Sequence, residues 1–119
     1  MAFEVVIEPE KPKEPIWRKE DARSFVDFYA HRHGVNPEVL WRVIAKCENV
    51  DLDPTLQSRY VKNGVREESY GLAMWNIPSG NKKADGTTIT KADAQNPNIA
   101  VDEMARYFAN GKAGLWSCY

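Results

Sequence analysis

The stretch NPEVLWRVIAKCENVDLDPTLQS, residues 36–58, decides how this chain is read. Asn36 is a favourable N-cap, and Pro37 suits the first helical position, where no backbone donor is needed. Glu38 falls in the first turn, where a negative charge is favoured by the helix dipole. Val39, Val43 and Cys47 then form one row at a spacing of four, and Leu40 and Ile44 form a second. Such rows lie on one face of a helix. Adding four to Ile44 gives Glu48. A carboxyl group there is pushed toward its protonated form twice over. It loses hydration beside an apolar face, and the partial negative charge of the helix C-terminus opposes its ionisation. A Glu at a helix end ordinarily turns to solvent. Against that plain alternative stands Glu48 as a general acid still carrying its proton near neutral pH.

Working outward, Ala22, Phe25, Val26, Tyr29 and Ala30 recur at three and four and predict a helix over residues 19–33, with Gly34 placed to end it. Before it, residues 9–15, PEKPKEP, hold three prolines in seven and read as an extended linker. Residues 1–8 alternate weakly at Phe3, Val5 and Ile7, as a short strand or an ordered arm. The chain thus divides into an N-terminal arm with its Pro-rich linker, 1–15, and one domain, 16–119. At the end of the central stretch, residues 53–58 predict a turn and a short helical piece. Asn63-Gly64, between Tyr60-Val61 and Val65, is a strong hairpin signal, because both central residues of a type I′ turn need positive φ. It is the only β structure expected in the domain. Thr90 and Asp93 have the spacing of a capping box. Asn96-Pro97 repeats the cap-and-proline signal and opens a last helix with Val101, Met104, Ala105 and Phe108 on its core face and Gly111 as its stop. The fold class is mainly α, a small helical domain with one short β-hairpin.

The composition fits one domain of ordinary charge: 119 residues, 43% apolar, 28% charged. A net charge of −1 counts against a protein built to hold nucleic acid. No run of about 18 apolar residues suggests a membrane span. The N-terminus shows neither the basic nor the apolar region of a signal peptide. The two cysteines, Cys47 and Cys118, are either one bridge, tying the central helix to the C-terminus, or two separate thiols. His31 and His33 face different sides of a helix with no partnering ligand cluster, so neither metal nor other cofactor is expected. The expected state is a monomer.

Four segments, in order, resemble one family. CENVDLDPTLQS, residues 47–58, resembles the E-S-x-x-x-P-x-x-x-S segment of lytic transglycosylases and goose-type lysozymes. SYGLAMWNI, residues 69–77, is similar to their S-x-G-L-x-Q-I segment. GVNPEVLWRVIAKCE, residues 34–48, resembles the helix leading to their catalytic Glu, and NPNIAVDEMARYF, residues 96–108, a later helix. The resemblance covers roughly residues 22–119. Asn49 stands where the family has Ser, Met74 where it has Gln and Trp75 where it has Ile, and LWSCY replaces its C-terminal A-Y-N.

The resemblance implies a lysozyme-like domain acting on the glycan strands of peptidoglycan, in the periplasm, outside the cell or as part of a phage. Glu48 would protonate the glycosidic oxygen between N-acetylmuramic acid and N-acetylglucosamine. In a lytic transglycosylase a hydroxyl of the substrate then attacks, and the same Glu takes its proton. A hydrolase would use water and normally a second carboxylate, for which Asp51, Asp53, Glu67 and Glu68 are the candidates. Ser58, Ser69, Tyr70 and Asn76 would line the sugar cleft, with Met74 in the place of the family's Gln. Trp75 and Trp116 offer flat faces for sugar rings or, the commoner role of tryptophan in a small core, packing there. Gly71 reads as a close backbone approach, to the acid helix or the substrate, or as a plain turn. Two other functions compete. Met74 and Asn49 favour a catalytically silent module that binds cell wall. Ala30 and Gly34, followed by Leu40 and Val43, fit a DNA-binding helix-turn-helix, a pattern generic to packed helices.

Overall fold

The computed structural model describes residues 13–119. The expected strand or arm at 1–8 and the linker as far as residue 12 lie outside the described residues. Residues 13–18 run without regular structure into a 3₁₀ turn, Lys19–Asp21, and then helix α1, Ala22–His33. The spacing of three and four puts Ala22, Phe25, Val26, Tyr29 and Ala30 in the core, as expected. Gly34 closes the helix at φ 68°, with its N–H donating to the His31 carbonyl and the Val35 N–H to the Ala30 carbonyl, at 3.2 and 2.8 Å. These two bonds, from the residues just past the helix to its last turn, are a Schellman closure.

Helix α2, Pro37–Val43, starts as expected: the Asn36 side chain accepts from the N–H groups of Glu38 and Val39. Leu40, Val43 and Ile44 are buried, while Val39 is half-buried and Cys47 exposed. The last turn differs from a simple α-helical row. Ile44–Glu48 is a π turn, closed by the Asn49 N–H donating to the Ile44 carbonyl at 2.8 Å. The wider i→i+5 turn rotates Glu48 off the Leu40–Ile44 row.

Four short strands follow. β1, Val61–Lys62, pairs antiparallel with β2, Val65–Arg66, around Asn63 and Gly64 at φ 54° and 77°, the positive pair a type I′ turn demands. A second antiparallel pair, β3 Ser69–Tyr70 with β4 Trp75–Asn76, corrects the expectation of one hairpin. Its strands are two residues each, too short to show alternation, and Ser69, Tyr70 and Trp75 are all buried. A buried backbone must find hydrogen-bond partners, and pairing supplies them. The helical piece expected within 53–58 does not form: the turn at Asp53 is present, and Gln57 then bridges to Tyr70.

The capping box of Thr90 and Asp93 opens α3, Lys91–Ala94, and Asn96 caps α4, Pro97–Ala109. Val101, Met104 and Ala105 are buried, but Phe108 is only half-buried, and Tyr107 takes the inner position. α1 packs on both α2 and α4 around one core that includes Tyr29, Leu40, Ile44, Leu72 and Met104. At its edge Asn98 Nδ2 donates to the Tyr29 hydroxyl at 2.6 Å, and His33 pairs with Asp102 at 2.6 Å. After α4 the chain makes a 3₁₀ turn, Ala113–Leu115, buries Trp116 and ends beside the acid helix. There Cys118 is bonded to Cys47, with Cα atoms 6.1 Å apart. The fold is mainly α. Among the described residues no helix is long and apolar enough to cross a membrane.

Candidate active site

Glu48 ends the π turn half-buried, in the wall of a cavity of about 610 Å³. That volume is within the usual range for small-ligand sites. Among the described residues none donates a hydrogen bond to its carboxylate. The carboxyl pKa is raised above its ordinary value, first by burial and then by the charge of Glu67. Lost hydration and a like charge both disfavour the ionised form. The direction is the one anticipated from the sequence. The second cause is a side chain 19 positions away in the chain, brought near only by folding.

The residue after the acid holds it in place. Asn49 is 1% exposed. Its Nδ2 donates to the Asp53 carbonyl at 2.7 Å and the Gly71 carbonyl at 3.0 Å, and its Oδ1 accepts from the Asp53 N–H at 3.0 Å. The amide therefore ties the end of the acid helix to the acidic loop and to the turn between β3 and β4. A serine hydroxyl has one donor and could not serve both carbonyls. Gly71, at φ 82°, gives its carbonyl to Asn49 at the end of the acid helix and, on the side where a side chain would stand, makes a close backbone approach to Ala94 and Pro54. A Cβ there would lie 1.8 Å from the Ala94 carbonyl oxygen and 3.3 Å from that of Pro54.

Of the residues expected in the site, Ser58, Ser69, Met74, Trp75, Asn76 and Trp116 line the same cavity as Glu48. Tyr70 and Gly71 do not; Tyr70 is buried, with the Lys91 ammonium 4.9 Å from its ring centre. Trp75 and Trp116 are 2% and 6% exposed, so they back the cavity rather than offering open faces. Their rings pack edge-on at 5.0 Å, and their indole N–H groups donate to the carbonyls of Ala100 and Ala73. Core packing is what these two tryptophans do. Met74 lies half-buried at φ 47°, an uncommon conformation for a residue with a side chain.

The polar residues are engaged with one another. The buried Ser69 hydroxyl donates to Glu67 Oε1 at 2.5 Å and accepts from Asn76 Nδ2 at 3.2 Å. Asn76 Oδ1 in turn accepts from the N–H and hydroxyl of Ser79. The four carboxylates considered as partners for Glu48 separate cleanly. Asp51 pairs at the rim with Arg59 at 3.0 Å, and Asp53 accepts from the N–H and hydroxyl of Thr55. Glu68 is exposed and not part of the cavity wall, whereas Glu67 is half-buried within it.

Other lining residues had no functional signal in the sequence. Tyr60, 59% exposed, sits in the wall with Val50 and Leu115, both also exposed. Lone apolar residues in loops look like ordinary surface, and only folding gathers these three around one cavity. The Cys47 and Cys118 sulfurs lie within 4.8 Å of a Glu48 oxygen, but bonded to each other they offer no thiolates to a metal. No family model matches the chain, and neither a curated protein nor a solved structure matches it.

Proposed function

We infer that the protein is a peptidoglycan-cleaving muramidase of lysozyme-like fold, working as a lytic transglycosylase with Glu48 as its acid and then its base. One observation carries the reading: a half-buried carboxyl with a raised pKa, unpartnered among the described residues, at the end of a capped helix and in the wall of a cavity of about 610 Å³. The order of the four family-like segments adds support, as does the π turn, a distortion common at functional sites. Glu48 donates its proton to the glycosidic oxygen as the bond to the sugar carbon breaks. A hydroxyl of the same sugar then forms the new bond to that carbon, and its proton passes to Glu48, restoring the acid. Cysteines bonded to each other suit action in an oxidising setting such as the periplasm or cell exterior.

Turbidity of purified cell walls tests the proposal. The protein should clear the suspension, and Glu48→Gln should be slower by about a hundred- to ten-thousand-fold, the usual worth of a general acid. Mass spectrometry of the released fragments should find anhydro ends. Reducing ends would make it a hydrolase, and equal clearing by both proteins would remove Glu48 from the chemistry.

Met74 favours the second reading, a silent module that grips cell wall without cutting it. It puts a thioether in the cavity wall where the family has an amide. Pull-down by insoluble cell wall without clearing would identify that case. The helix-turn-helix reading has less behind it: α2 is seven residues long and runs on into the π turn whose end reaches the cavity.

A further inference from the structure

We propose that Glu67 is a second working carboxylate of this cleft, fixed by Ser69 so that its charge stabilises the positive charge that develops on the sugar ring as the glycosidic bond breaks. The inference rests on the glycosidase reading and adds to it a residue that the one-carboxylate scheme does not use.

Three observations carry it. First, position: Glu67 and Glu48 line one cavity from separate parts of the chain, the segment between β2 and β3 and the end of the acid helix. Second, fixation. The Ser69 hydroxyl donates to Glu67 Oε1, Asn76 Nδ2 donates to the Ser69 oxygen, and Ser79 in turn holds Asn76. The Glu67 main chain is pinned on both sides, its N–H donating to the Tyr60 carbonyl at 2.8 Å and its carbonyl accepting from Gln57 Nε2 at 3.1 Å. A chain of hydroxyl and amide groups thus ends on one carboxylate oxygen, and among the described residues the other accepts no hydrogen bond. Third, among the described residues no cation pairs with Glu67. Arg66, the neighbouring cation, donates to the carbonyls of Ser58 and Gln57, and Arg59 at the rim is paired with Asp51. The C-terminal segment, Leu115 to Cys118, brings no ionisable side chain to the wall. The Glu67 charge opposes the ionisation of Glu48 across the cavity.

The chemistry fits the pair. A glycosidic bond breaks through an oxocarbenium-like transition state, which a fixed negative charge favours over the neutral ground state. The neighbouring charge also acts on Glu48, holding the proton that must be delivered. Of the other charged side chains in the wall, Asp51 and Arg59 offset each other.

Glu67→Gln tests this, since the amide keeps an oxygen to accept from Ser69. On cell walls that variant should lose at least tenfold in kcat with little change in KM. Its alkaline limb should move to lower pH, because without the neighbouring charge Glu48 gives up its proton sooner. Carbon-13 NMR of the Glu48 carboxyl reads the same coupling without activity: its midpoint should fall in Glu67→Gln and stay put in Glu68→Gln. Glu67→Asp should recover part of the rate. A Glu67→Gln protein with wild-type rate, profile and Glu48 titration would overturn the proposal. If instead the wild type fails to clear cell walls while the Glu48 midpoint still moves, the glycosidase reading falls, and the working role for Glu67 falls with it. In that case the NMR shift shows that the two carboxylates are coupled and the failure lies in the function.

Discussion

Burial raises the affinity of Glu48 for its proton, which leaves a mark on stability. With the folded-state pKa above the unfolded one, the folded protein binds more protons between the two values, so stability falls as pH rises through that window. Below the unfolded value nothing is lost. Glu48→Gln cannot ionise and escapes the loss, so its melting temperature should exceed the wild type's at pH 7 and match it near pH 4. Calorimetry at the two pH values checks this, and a wild type equally stable relative to the variant at both would contradict the raised pKa. Asn49 is the opposite kind of residue, one whose removal should unfold rather than inactivate. Asn49→Ala leaves the carbonyls of Asp53 and Gly71 and the Asp53 N–H without their partner, at a cost of about 3 kcal/mol from buried groups left unpaired. Urea denaturation should show that loss, and a smaller one for Asn49→Ser, which keeps a single donor.

Two elements aim the acid: the π turn that ends its helix and the β3–β4 turn that Asn49 grips. The second depends on having no side chain at position 71. With a Cβ only 1.8 Å from the Ala94 oxygen, and backbone on both sides, Gly71→Ala forces two main chains apart and adds the strain of positive φ. A loss of about 3 kcal/mol or more follows, read as a lowered denaturation midpoint. Gly64, at φ 77° with open space where its Cβ would be, separates the two effects. Gly64→Ala should lose only the conformational part, about 1 kcal/mol. Equal losses at the two positions would show that the close approach at Gly71 carries no weight.

Across the whole molecule, the Cys47–Cys118 bridge spans 71 positions and joins the acid helix to the last residues of the chain. Loop-closure entropy for a span of that length corresponds to about 4 kcal/mol. Cys118→Ser should lower the melting temperature by an amount that reductant reproduces in the wild type, and reductant should leave the variant unmoved. Two free thiols in the untreated wild type, counted with a thiol reagent, would rule the bridge out. Trp116 holds the same segment by a second route, through its indole N–H to Ala73 and its packing on Trp75. The segment should therefore remain docked after reduction, with the loss appearing in global stability.

Helices and their ends were legible in the sequence because their causes are local. Asn36, Gly34, Thr90 and Asn96 satisfy nearby backbone groups, and a spacing of three or four puts side chains on one face wherever the helix packs. Glu48 was legible as the acid that ends the second helix, although the π turn takes it off the Leu40–Ile44 row. The second strand pair was not, since pairs of two residues carry no period and form because a buried backbone needs partners. Trp75 and Trp116 belong to the core rather than to open sugar platforms, because a large ring serves either role and only its neighbours choose. Glu67 was one of four acids without distinction until folding placed it in the wall with Glu48 and turned Asp53 and Glu68 elsewhere. By itself the sequence determined the caps at which α1 closes and α2, α3 and α4 open, and which carboxyl ends the second helix. The tertiary structure decided which distant groups surround that carboxyl, because burial and charge act through space while helix signals act along the chain.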